Sequence, residues 1–291
     1  MTLAVLLTAA AMAVTPEQNH PAAFWRQIAE TKYAVPAGSD LGALTFELTD
    51  MLASPDSELR DDIAYTTLAR WIYQTRVIGD SVLRGVIDRL LQNLTDGVGE
   101  RDTDRIFKRS FSALTLSVVI ARDNATPFLT AAEFRRIEGA ALAYLGAEHD
   151  LRGYEPQHGW MHSAAHTADL LKFLARSRHL DAADQSQILD AISLKVTTSP
   201  VFTNGEDERF ARAVLSIVSR SDFDRAAFSS WLSKAKPSAV STRPTLASLN
   251  GAQNIKNLLS KLLVLLDMDA EPTDNVRAAH DRVRAALQGM F

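Results

Sequence analysis

Asp104–Ala147, DRIFKRSFSALTLSVVIARDNATPFLTAAEFRRIEGAALAYLGA, decides how this chain folds. Helical periodicity runs from Asp104 to Arg122 and again from Thr130 to Ala147, with no strand-like alternation bounded by hairpin turns. Both segments open on capping residues. Asp104 stands before the first, and Thr130 is followed three residues later by Glu133, the pairing in which cap and acid satisfy each other's backbone N–H groups. A short break between two such helices makes them antiparallel neighbours.

The same signature recurs outward in both directions. Helices are expected near Pro21–Tyr33, Asp40–Leu52, Glu58–Arg76 and Asp80–Leu94 on one side. On the other they are expected near Trp160–Arg176, Ala182–Thr197, Glu206–Ser219, Asp224–Ala235, Asn250–Leu266 and Thr273–Leu287. Ser57, Asp80, Asp181 and Thr273 supply further caps. The fold class is all-α. Read as pairs, the helices return at about 40 to 45 residues, the period of stacked HEAT or armadillo-like units. At 291 residues the chain exceeds what one compact core usually organises, and an α-solenoid, a superhelical array of antiparallel pairs, buries a continuous core without a domain split. One domain over 14–291 is therefore expected, with 245–291 as a capping helix pair after the linker candidate Lys236–Pro244. A globular α/α bundle is the alternative.

Composition narrows the function. A formal charge of −4 and the lack of a long Lys/Arg run argue against nucleic acid as a partner. With no cysteine, disulfides, thiolate metal sites and cysteine nucleophiles are excluded. The run Met1–Ala13 is apolar and ends in Ala11-Met12-Ala13, the pattern of a signal peptide cleaved before Val14, although no Lys or Arg precedes Arg26. A periplasmic or secreted product is expected, with a cytoplasmic chain carrying an ordinary N-terminal helix as the alternative. No later apolar stretch reaches the roughly twenty residues of a membrane span.

Chemistry-bearing residues concentrate in Asp150–Asp169, DLRGYEPQHGWMHSAAHTAD, which holds three of the seven histidines. Gly153, Pro156 and Gly159 shape a loop before the helix expected from Trp160. His162 and His166, four residues apart, would share one face, with Asp169 three further on. Two such imidazoles can hold a divalent metal such as zinc. The metalloprotease helix also needs a glutamate after its first histidine, however, and that position is Ser163. A third ligand would come from His158, Glu155 or Asp150, or from Glu206 or Asp207. Asp169, about 10 Å beyond His162 along the axis, suits an orienting role toward His166 better than direct ligation. A metal-free hydrogen-bond network with Arg152 paired to an acid explains the same residues. Trp160 reads as a core plug or a stacking platform. Glu206-Asp207-Glu208-Arg209, and Asp61 with Asp62, read as solvated helix N-termini. His20, His149, His179 and His280 stand apart, and neither a phosphate-cradling loop nor a serine-hydrolase elbow is present.

Asp150-Leu-Arg-Gly-Tyr-Glu155 followed by Gly159-Trp-Met-His-Ser-Ala-Ala-His-Thr-Ala-Asp169 resembles the hallmark block of a bacterial family known only as a domain of unknown function. Gly205–Arg209 and Asn254–Asn257 are similar to its further blocks. The resemblance implies an all-helical domain and brings no activity with it. The residues favour a non-catalytic module that binds a protein or small-molecule ligand through Arg152, His158, Trp160, His162, His166 and Asp169. A metal-dependent hydrolase using the same residues, with His162 and His166 as ligands, is the alternative.

Overall fold

The structure, a computed structural model, describes residues 20–235 and 244–290. The expected leader at 1–13 and all of the linker candidate except Pro244 lie outside the described residues.

The described chain is mostly helical, with almost no strand. α1 (Ala22–Glu30) and α2 (Leu41–Met51) precede a helix over 58–74 whose ends, Glu58–Tyr65 and Arg70–Gln74, are π-helical around a short α3 (Thr66–Ala69). Then come α4 (Asp80–Asn93), α5 (Arg105–Ala125) and α6 (Ala131–Ala147), a hairpin of β1 (Tyr154–Glu155) and β2 (Gly159–Trp160), and α7 (Ser163–Leu174). α8 (Ala182–Thr198), α9 (Glu206–Val218), α10 (Arg225–Ala235), α11 (Leu246–Asp267) and α12 (Asp274–Gln288) complete the order.

Caps set many of these starts. Thr130 and Glu133 form the reciprocal box at α6, Asp181 and Asp184 form another at α8, and Thr273 accepts from the Val276 N–H at α12. Asp104 and Ser57 make no side-chain cap. α11 starts at Leu246 rather than Asn250, because Thr245 and Ser248 cap it one turn earlier. α7 departs most from expectation. Its helix begins at Ser163, and Trp160 belongs to the hairpin. Gly159 turns the chain at φ +74°, and the ladder continues through Met161 N–H to Gly153 O (2.9 Å) and His162 N–H to Arg152 O (3.1 Å). These bonds keep residues 160–162 extended until His162, at φ +50°, bends the backbone into the helix.

Helices alternate between two layers. In one, α5, α7, α9 and α11 lie side by side. Ser110 meets His166 and Asn124 meets Phe173, while Asp169 meets Arg209 and Arg176 meets Ser216, so α5, α7 and α9 run parallel. In the other layer α6, α8, α10 and α12 are neighbours, joined by Arg135 to Asp184, Lys195 to Glu148 O, Trp231 to Leu189 O and Arg225 to Asn275. α5 is buried on nearly every side, and its buried Arg109, Ser110, Arg122 and Asp123 are all hydrogen-bonded, as buried polar groups must be. One apolar core runs from Trp25 to Leu287, and a satellite of Ile106, Phe107 and Met161 sits apart from it.

α11 crosses α8 at Gly251, where an added Cβ would lie 2.5 Å from Thr197 O. One turn on, buried Asn254 accepts from the Phe202 N–H and donates to Val196 O and Pro200 O. These bonds tie the end of α8 and the loop before α9 to α11. Among the described residues no helix is long and apolar enough to cross a membrane.

Candidate functional site

Arg60 fixes the hairpin to the rest of the molecule. Its guanidinium is fully buried and lies over Phe107 at 4.1 Å and Phe111 at 4.8 Å. It donates to Ser54 O (3.0 Å) and, across the chain, to His158 O (2.7 Å). Asp61, expected as a solvated acid, is instead paired at 2.7 Å to Arg60, and burial raises its pKa to about 6. Held in this way, Trp160 stacks on His162 (centroids 4.5 Å apart, 20° between planes) and meets Tyr154 edge-on. Trp160 keeps 39% of its surface exposed, so it is not a core plug.

The two histidines adjoin, with ring centroids 5.7 Å apart, and have different partners. His162 Nε2 lies 3.0 Å from Asn204 O, which requires the proton on that nitrogen, and 3.6 Å from Glu206 Oε1. His166 Nδ1 lies 2.8 Å from Ser110 Oγ. The Ser110 hydroxyl donates its one proton to Met161 O, so Nδ1–H must donate to Ser110. Nε2 of the neutral ring is then an acceptor, and it makes no hydrogen bond among the described residues. Burial, followed by the neighbouring His162 ring and then the charge of Arg209, holds His166 well below its ordinary pKa. Burial lowers His162 too, against the opposing Glu206 charge.

His166 lines a cavity of about 500 Å³ together with Asp169, Lys172, Arg209, Tyr65 and Tyr73. Asp169 does not orient His166; Ser110 does. The carboxylate of Asp169 is shared between Lys172 Nζ (2.8 Å) and Arg209. Burial and the Asp169 charge push the Tyr65 phenol up to about 12, so it stays a neutral donor.

The remaining expected residues lie elsewhere. Arg152 grips Asp150 through two nitrogens and donates to Thr103 O, lining a separate cavity of about 490 Å³ with Glu148 and Lys195. His158, half-exposed on the hairpin, faces Glu155 at 3.4 Å. Glu206 and Asp207 are buried rather than solvated; Glu206 accepts from the Asn204 N–H and Asp207 from the Glu208 N–H. Of the suggested third metal ligands, Glu206 alone comes beside His162, and among the described residues no group of three His, Asp or Glu side chains is placed to hold a metal ion. Lys172 could be read from its i,i+3 spacing to Asp169. Ser110, Tyr65, Tyr73 and Arg60 carry no local signal, since they reach the site from helices 56 to about 100 residues away.

The buried neutral histidines set a pH dependence. An unfolded histidine titrates near 6.5, so these groups contribute fully above that pH and their contribution is lost as pH falls, when the unfolded chain takes up protons first. Denaturant unfolding is expected to show wild type losing up to about 1.4 kcal/mol per pH unit below 6.5 for each such group, and His166→Asn should lose less. Equal slopes for the two proteins between neutral and mildly acidic pH would rule this out.

No curated protein and no solved structure matches the chain. A family model described as "Protein of unknown function (DUF2785)" matches residues 94–264, which carry α5 to α10, most of α11, the hairpin and every cavity residue named above except Tyr65 and Tyr73. Because the match spans more than half of the chain, this protein belongs to the DUF2785 family of unknown function.

Proposed function

We propose that the protein is a non-catalytic binding module that takes a ligand in the cavity walled by His166, Asp169, Lys172, Arg209, Tyr65 and Tyr73. One observation carries the reading: a neutral imidazole, oriented by Ser110, keeps an unpartnered acceptor nitrogen on a wall that also holds ammonium, guanidinium and phenol donors. Leu114, Val118 and Ala121 supply an apolar floor, and a few placed polar groups above such a floor are what a ligand pocket needs. The Ser110–His166 contact has the form of a nucleophile and its base. It works otherwise, because Ser110 is fully buried and spends its proton on Met161 O.

The alternation of parallel layers supports the wider reading of a superhelical array whose α5–α7–α9–α11 face carries the site. Export directed by the run 1–13 belongs to the same proposal, with N-terminal sequencing of the mature chain as its check.

The test is thermal unfolding of wild type and His166→Ala against a panel of small organic acids, amines and divalent metal salts. Some compounds are expected to raise the wild-type melting temperature, as any ligand specific to the folded state does, and to lose that effect in the variant. Shifts that persist in His166→Ala would place binding elsewhere. Stoichiometric zinc lost from both His162→Ala and His166→Ala would replace this reading with the metal-dependent hydrolase.

A further inference from the structure

α7 and α9 run parallel, and the seam between them carries more positive charge than its carboxylates offset. At three- and four-residue steps along this side stand Asp169 and Lys172 on α7 and Arg176 in the turn just after it; on α9 they are Arg209, Arg212 and Ser216. Asp169 binds Lys172 and Arg209 at one end, and Arg176 Nε donates to Ser216 Oγ (3.0 Å) at the other. Between these ends Arg212 is paired with Glu208 on its own helix. Four cations thus stand with two carboxylates in a chain whose net charge is −4.

Arg176 is the cation left over. It makes no ion pair among the described residues, and its guanidinium sits 5.3 Å from the Phe173 ring. Burial, and then the nearby charge of Arg212, lower its pKa, a repulsion that an incoming carboxylate would relieve. The seam opens into a cavity at each end. One is the His166 cavity of about 500 Å³; the other, of about 650 Å³, is lined by Arg176, Ser216, Leu215, Asn124 and Arg220.

We propose that this seam binds an acidic peptide segment of a partner protein in extended form, with its carboxylates on Arg176, Arg212, Lys172 and Arg209. The proposal rests on the binding-module reading and extends it beyond the His166 cavity. Seven residues of α9 separate Arg209, at the Asp169 level, from Ser216, at the Arg176 level, about 10 Å at 1.5 Å per residue. An extended strand covers that distance in about three residues. A single small anion would reach only one end, and it would leave the aromatic and apolar walls formed by Tyr65, Tyr73, Phe173 and Leu215 unused. A nucleic acid draws its affinity from many phosphate contacts, whereas a net excess of two positive charges suits a short run of Glu or Asp.

Fluorescence anisotropy of a labelled Glu-rich peptide tests this on the full chain, with the Gln-for-Glu peptide, single-stranded DNA and inorganic phosphate as competitors. Wild type should bind the acidic peptide and not its Gln counterpart, more weakly at about 300 mM than at about 50 mM salt. Arg176→Ala with Arg212→Ala should weaken binding roughly tenfold or more, since both side chains are partly exposed and their loss removes charge complementarity rather than core. Arg176→Gln provides a milder variant, and circular dichroism confirms that each variant folds. Equal binding by the double variant overturns the proposal, as does competition by DNA or phosphate at concentrations as low as those of the peptide. If the acidic peptide fails to bind while small compounds still shift the melting temperature through His166, the seam proposal falls and the cavity reading stands.

Discussion

Glu148→Ala is expected to lower the stability of the protein by about 3 to 5 kcal/mol, the cost of leaving a buried charge without its partner. Arg109, on α5, is fully buried and Glu148, at the end of α6, is 2% exposed. The pair is joined twice, at 2.6 and 3.2 Å. Arg109 also donates to Asp96 O, and Glu148 accepts from the Asp150 N–H, so the pair fastens the start of the hairpin loop to two helices. Alanine at 148 would strand the guanidinium and release that N–H together. The replacement of both residues by methionine should recover much of the loss, because an apolar pair of similar volume incurs no desolvation cost. Urea unfolding of the single and double variants measures both effects. A loss below about 1 kcal/mol for Glu148→Ala would show that water reaches Arg109.

The second large effect is expected at Arg60. Arg60→Ala removes the side chain packed between Phe107 and Phe111, leaves His158 O without its donor and strips Asp61 of its counter-charge. A loss of about 3 kcal/mol follows from cavity and stranded partners together. Lysine should not rescue it, because a point charge cannot lie flat on two rings and reach both Ser54 O and His158 O. The variant has its own optical readout. Trp25, Trp71 and Trp231 are buried and Trp160 is exposed, so release of the hairpin should change fluorescence and quenching chiefly through Trp160. A destabilised Arg60→Ala protein with unchanged Trp160 quenching would show that the hairpin holds without this arginine.

The helices were legible where local chemistry decides them. Thr130 with Glu133 and Asp181 at its helix start announce α6 and α8, and apolar periodicity does the rest. The hairpin was not legible, since four paired residues give no alternation to read and Gly159 and Trp160 suit a helix entrance equally well. Nor was the π-helical character of 58–65 and 70–74, for which the sequence carries no distinct period. At the site, spacing brought His162 and His166 together on paper as in space, although His162 precedes the helix rather than lying in it. Their partners could not be read, because Ser110 arrives from α5, Asn204 O from the loop before α9 and Tyr65 from the helix over 58–74. Arg152 was expected beside the histidines and instead belongs to the cavity of Glu148 and Lys195, because Asp150, two residues away, captures it first.

The parallel layers carry a consequence for the order in which the molecule assembles. The side-chain bonds that join neighbouring helices of a layer, such as Ser110 to His166, Asp169 to Arg209 and Lys195 to Glu148 O, link residues 56, 40 and 47 apart. Separations this regular mean that each helix of a layer closes a loop of similar, moderate length onto the helix two before it in the chain. The bonds from Arg60 to His158 O and Trp160 O span 98 and 100 residues. These bonds close loops about twice as long, so the hairpin, and the Trp160–His162 stack it presents, are expected to be fastened later in folding than the helix layers.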